Sequence, residues 1–222
     1  MKTRYIAGLL ILGCVTLALF STPSSTMISV RVGQTFEEVV RSSTFPVKAS
    51  SNIPNDEEVG FGVTLIKEPA VIIFFNDAKH GFTLPPTTFA GISYIDNKVS
   101  TIATSPMLHK LTFDKAAAEL ARLQRQFQAG GWQPEINNKW FDLTPQGLAQ
   151  LRLDVRNSSN GFMRTIMLVV PEKYEMTFRL WCAARCDSQI GLDRYLIDIG
   201  LSADNGFIFQ QIKRQREEAM TP

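Results

Sequence analysis

Three runs toward the C-terminal end constrain the fold most, because they alternate apolar and polar residues with the period of two that suits a strand buried on one side. Glu175-Met176-Thr177-Phe178-Arg179-Leu180-Trp181 and Arg194-Tyr195-Leu196-Ile197-Asp198-Ile199 are the clearest, and Arg164 to Val170 precedes them. Such strands belong to antiparallel sheets with one face packed and one face wet, so the packed face needs cover. A helix opening at Thr112-Phe113-Asp114 supplies it: Phe113, Ala116, Ala117, Leu120, Leu123 and Phe127 share one side at helical spacing, with Asp114, Lys115, Glu119, Arg122 and Arg125 opposite. Gly130-Gly131 ends the helix, and Trp132 is expected to fold back onto the apolar side. A shorter helix is expected from Thr144-Pro145, with Thr144 as cap and Pro145 at the first helical position, through Leu148, Leu151 and Val155.

The first half follows a similar plan. Thr35-Phe36-Glu37-Glu38 carries a capping box for a helix ending near Ser42. Phe61 to Phe75 reads as a strand pair, and Phe89 to Ile95 and Val99 to Thr104 as a hairpin turning at Asp96-Asn97-Lys98. Ile92, Tyr94, Val99 or Ile102 supply its buried positions, depending on register. Thr35-Phe36 and Thr112-Phe113 stand 77 residues apart and open comparable segments. The expectation is therefore an α+β chain of two helix-plus-antiparallel-sheet units, over residues 27–106 and 107–209, followed by a charged tail over 210–222.

Residues 1–26 precede these units and read differently. Lys2 and Arg4 stand before Tyr5 to Phe20, sixteen residues without a charge, and Ser21 to Thr26 then bring in turn formers. That order is the pattern of a membrane-targeting segment, with the positive charges held on the cytoplasmic side and the rest delivered beyond the membrane. Three outcomes stay open: cleavage as a signal peptide; lipidation at Cys14, within Ile11-Leu12-Gly13-Cys14; or retention of residues 5–20 as a short anchor.

Charge narrows the partners. The chain has 23 Lys and Arg against 21 Asp and Glu, and Lys2 and Arg4 account for the excess. A body without net charge lacks the basic field that nucleic acid demands, so a protein partner is expected and no nucleic acid. Of the three cysteines, Cys182 and Cys186 are spaced for a bridge across a tight turn. Two unpaired thiols or a metal site are the alternatives, although no further Cys or His lies nearby to complete a zinc set.

Catalytic material is sparse. His80, in a polar turn, and His109, in the link between halves, are the only histidines. No Gly-x-Ser-x-Gly elbow, phosphate-cradling glycine loop or paired-histidine metalloprotease motif occurs. Asp187, Asp193 and Asp198 alternate with Arg185 and Arg194, which suggests ion pairing. The expectation is a chain without catalytic residues, metal or cofactor. Recognition material is richer: Trp132, Trp140 and Phe141 stand in a Gly- and Asn-rich connection, either as partner anchors or as lids over the core. Arg179, Arg185 and Arg194 form a second candidate surface, or a solvated sheet face.

Two resemblances follow from particular residues. Val32-Gly33-Gln34-Thr35-Phe36-Glu37-Glu38-Val39, taken with the hairpin from Tyr94 to Ile102, is similar to the small lipoprotein family of the outer-membrane barrel-assembly machinery. The build of the chain, with Lys173 to Arg179 and Leu192 to Asp198, resembles periplasmic immunity proteins that accompany type VI secretion effectors. The second resemblance implies a non-enzymatic protein anchored in the inner membrane of a bacterial cell envelope, its body in the periplasm, that neutralises an effector by protein contact. The first implies an accessory scaffold in envelope assembly. Neither carries a specific functional residue onto this chain.

Overall fold

The computed structural model describes residues 26–53, 60–187 and 190–220. The anchor expected over residues 5–20 and the lipidation candidate Cys14 lie outside the described residues. In chain order the elements are β1 (Thr26–Val30), α1 (Phe36–Ser42), β2 (Ser51–Asn52), β3 (Phe61–Ile66), β4 (Val71–Phe75), β5 (Phe82–Thr83), β6 (Ala90–Ile95) and β7 (Lys98–Thr104). They continue with α2 (Phe113–Ala129), β8 (Gln133–Pro134), α3 (Pro145–Asp154), β9 (Met163–Val170), β10 (Tyr174–Ala184), β11 (Arg194–Ala203) and α4 (Asn205–Met220). The fold is α+β, as the alternation predicts.

Eight strands form one antiparallel sheet in the order β2-β3-β6-β7-β11-β10-β9-β8. The expected unit boundary near residue 106 falls after β7, yet the sheet runs through it: β7 pairs with β11 from Thr104↔Ile199 to Thr101↔Ser202. A second sheet, β1-β4-β5, pairs β1 with β4 in parallel. Phe61 to Phe75 is thus two strands, but not a pair. Strand β3 joins β6, whereas β4 joins β1 and β5 in the other sheet. The intervening Lys67-Glu68-Pro69-Ala70 lacks the Asn-Gly or Asp-Gly chemistry of a tight hairpin, and Pro69 has no N–H to give a ladder.

Local signals act where the sequence places them. In α1, Thr35 Oγ1 accepts from the Glu38 amide while Glu38 accepts from the Thr35 amide at 2.9 Å, closing the capping box. Asp96 and Asn97 both hold positive φ, 49° and 57°, the handedness that matches the twist of a two-residue hairpin. Ile92, Tyr94, Val99 and Ile102 are all buried. Val99 and Ile102 differ in parity, and the conflict is resolved by a bulge: Tyr94 faces Val99 but Ser93 faces Thr101, so Ser100 is extra and the strand changes face.

The inner face of the large sheet holds the core. On β10 the buried positions are Tyr174, Met176, Phe178, Leu180 and Cys182, and on β11 Tyr195, Ile197, Ile199 and Leu201. Helix α2 lies over them: Phe127 meets Phe178 edge to face with ring centres 5.2 Å apart, and Phe113 meets Tyr195 at 5.3 Å. Burying Leu120 and Leu123 completely contributes about 1.5–3 kcal/mol each. The small sheet joins the same core, with Phe75 5.2 Å from Tyr174 and Phe82 4.9 Å from Phe127.

A polar seam fastens the turn after β4 to the second half. The buried Asp77 carboxylate accepts from Lys173 Nζ at 2.7 Å, the Tyr174 hydroxyl at 2.9 Å, and the amides of Lys79 and His80. Burial works against its charge, but these donors prevail and hold the carboxyl well below the usual range. Burial, with Asp77 adding to it, pushes the Tyr174 hydroxyl up to about 12. Beside them His80 Nδ1 donates to the Gly130 carbonyl at 2.7 Å, and Trp132 Nε1 donates to the His80 carbonyl at 3.0 Å.

Candidate binding face

The alternation that buries one side of β10 and β11 fixes what the other side presents. Glu175, Thr177, Arg179 and Trp181 point outward from β10, and Leu196, Asp198, Gly200 and Ser202 from β11, all at least partly exposed. Register then builds a row across the sheet. Leu65, Gly91, Ala103, Gly200, Thr177 and Met167 are successive cross-strand partners from β3 to β9. Three of these six are Gly or Ala, so the middle of the outer face is a low floor between taller rims.

Residues 105–110 form one wall of this floor. Thr87 Oγ1 donates to the Ser105 carbonyl at 2.7 Å, Ser105 Oγ donates to Asp198 Oδ1, and Leu111 exchanges backbone hydrogen bonds with Tyr195 at 2.8 and 2.9 Å. The result is a groove of about 640 Å³ with an apolar lining that includes Phe89, Leu108 and Leu196. Phe89 is 64% exposed and Leu108 47%. Arg179, Trp181 and His109 stand at the same groove.

Two donors here are not satisfied by the chain. Arg179 Nε donates to Thr165 Oγ1 at 3.1 Å, but among the described residues neither terminal nitrogen of its guanidinium has a partner. Asp198 faces it in register but makes no ion pair with it. The Trp181 indole N–H is buried without an acceptor, an arrangement that normally costs about 1–3 kcal/mol. Gly200 and Gly91 also lack an internal reason. A Cβ on Gly200 would meet Thr177 at 3.8 Å and one on Gly91 would meet Leu65 at 3.9 Å, both ordinary contacts. Neither glycine holds a positive φ, and glycine inside a strand often marks a close approach by another molecule.

The candidate residues fall on different sides. Trp132 is 2% exposed and Phe141 7%, and both belong to the core. Phe141 stacks edge to face on Phe178 at 5.4 Å, and Trp140 is half-buried against the same cluster. Their place as partner anchors is therefore corrected: Trp132 and Phe141 close the interior, as lids. Arg179 lies on the outer face. Arg194 shares that face but spends Nη1 on the Asp193 carbonyl at 2.9 Å. Arg185 is exposed in the turn that Cys182 and Cys186 close, their sulfurs at bonding distance and their Cα atoms 5.7 Å apart.

The aspartates are likewise reassigned. Asp193 is buried and pairs with Arg152 at 3.3 Å rather than with Arg185 or Arg194. Burial raises its carboxyl, but the Tyr195 hydroxyl and Arg152 outweigh this and keep it below its ordinary value. His80 is committed to the seam, whereas His109 stands in the groove wall. Among the described residues no group of three or more His, Cys, Asp or Glu is placed to hold a metal ion.

Sequence reasoning missed Trp181, although its parity carried the signal. If Met176, Phe178 and Leu180 face inward, Trp181 must face outward, where a large aromatic is unusual. Comparison with protein-family models, curated proteins and solved structures finds no match to this chain.

Proposed function

We propose that this chain is a non-catalytic binding protein of the bacterial envelope that docks a partner protein on the outer face of its large sheet, as an immunity protein does with a secreted effector. The carrying observation is the floored groove itself, where Trp181 and Arg179 stand beside exposed Phe89 and Leu108. Trp and Arg are the side chains that most often dominate binding energy at interfaces, and an apolar patch on an outer surface favours partner contact. The paired Cys182 and Cys186 suit an oxidising compartment, and the sixteen uncharged residues from Tyr5 to Phe20 suit delivery to one.

The test is growth rescue in the periplasm of a bacterial host that expresses the product of the adjacent gene there. The wild-type chain is expected to restore growth, and Trp181→Ala combined with Arg179→Glu to abolish rescue while the chain remains folded. An adjacent product without toxicity, rescue that survives both substitutions, or equal rescue by a chain lacking residues 1–20 would overturn the proposal.

A further inference from the structure

We infer that the same groove is a site for a small single-chain amphiphile with a carboxylate head, taken up independently of any protein partner. A groove of about 640 Å³ is in the range that holds a small ligand. Its floor at Ala103 and Gly200 and its wall at Phe89, Leu108 and Leu196 receive the hydrocarbon. The head meets the donors that the chain leaves open, the terminal nitrogens of the Arg179 guanidinium, beside the Trp181 ring at the same groove.

A guanidinium fork fits a carboxylate with two parallel hydrogen bonds, and so selects that head over a hydroxyl or an ammonium. Among the described residues Asp198 is the one acid lining the groove, and Ser105 already donates to it. Lys110 adds a second cation at the rim, its ammonium 3.4 Å from the Ala183 carbonyl. The glycine floor is the independent observation. Gly200 sits in a central strand where the chain has room for a Cβ, so its missing side chain serves whatever lies above it.

The experiment uses the full-length chain in lipid nanodiscs with a diazirine-bearing dodecanoate as photoprobe, and no partner protein present. Peptide mapping by mass spectrometry is expected to place the label at Phe89, Leu108 or Leu196. Excess dodecanoate should reduce that labelling at least tenfold, and dodecanol should not. Gly200→Val fills the floor from a position where a Cβ has room, and is expected to remove the label from these residues while the chain stays folded, as its Tm will show. Arg179→Gln should lower labelling at least tenfold. Label confined to residues 5–20, competition by dodecanol as strong as by dodecanoate, or labelling indifferent to a folded Gly200→Val chain would each overturn the inference. Because the readout involves no effector, it can fail while growth rescue succeeds, and the reverse.

Discussion

The two faces of the large sheet are made from the same strands under opposite rules. Inward, β10 and β11 present bulky side chains that α2 and the small sheet cover, and nearly every polar atom there is paired. Outward, the row across the sheet has small residues at Gly91, Ala103 and Gly200, and β10 carries an arginine with free donors and a tryptophan whose N–H finds no acceptor. Residues on the first face are explained by the chain's own stability. Those on the second are not, and that residue is where function is to be sought.

The largest test of the contrast is a pair of truncations three positions apart. Phe178→Ala opens a cavity under Phe127 and Phe141 and is expected to cost about 3–5 kcal/mol in chemical denaturation. Trp181→Ala, on the other face, is expected to cost about 1 kcal/mol or less, because part of what it loses is an unsatisfied donor. Equal losses would erase the distinction between the faces.

Next in size is the seam. Asp77→Asn removes a charge that four donors address and is expected to cost about 2 kcal/mol or more. Because the folded carboxyl sits below its unfolded value of about 3.9, its contribution is present above that pH and is lost as pH falls through it toward the folded value. Thermal melts between pH 6 and pH 2 should therefore fall less steeply for Asp77→Asn than for the wild type. Asp193 is shifted the same way, so part of the acid sensitivity will remain. At the alkaline end the sign reverses: Tyr174, raised to about 12, favours the fold below pH ~10 and loses that contribution as pH climbs through 12. Tyr174→Phe should flatten this arm.

Reducing the Cys182–Cys186 bridge releases a short loop, and on chain-entropy grounds is expected to cost about 2 kcal/mol, read as a lower Tm in reductant. The smallest effect is a gain. Gly200→Ala is expected to stabilise the chain by about 0.5–1 kcal/mol, since its Cβ has room and the strand no longer carries a glycine. A loss instead would mean that the floor has an internal purpose after all.

Elements whose signals are local were legible in the sequence. The capping box at Thr35, the Asp96-Asn97 turn, the apolar side of α2 and the alternation of β10 all concern neighbours within a few residues. What was not legible depends on which strand meets which. Nothing in Phe61 to Phe75 announces that β3 and β4 part company into different sheets, because both are apolar enough to suit either partner. The burial of Trp132 and Phe141 needed the third dimension: a tryptophan after a glycine pair reads equally as an anchor or a lid until Trp132 Nε1 is seen to donate to His80. The groove was half legible, since Arg179 was visible, but Gly200 matters only beside Ala103, from a strand about a hundred residues earlier.

The position of β11 between β7 and β10 has a temporal meaning. A ribosome releases β6 and β7 long before β11, and β9 with β10 somewhat before it, so both hairpins wait with an unpaired ladder for a common neighbour. Loop closure over such separations is slow, and open ladders invite pairing with other chains. A nascent or clipped polypeptide stopping short of Arg194 is left with two sticky margins and no keystone, whereas one stopping after Ala203 has its full complement of strands.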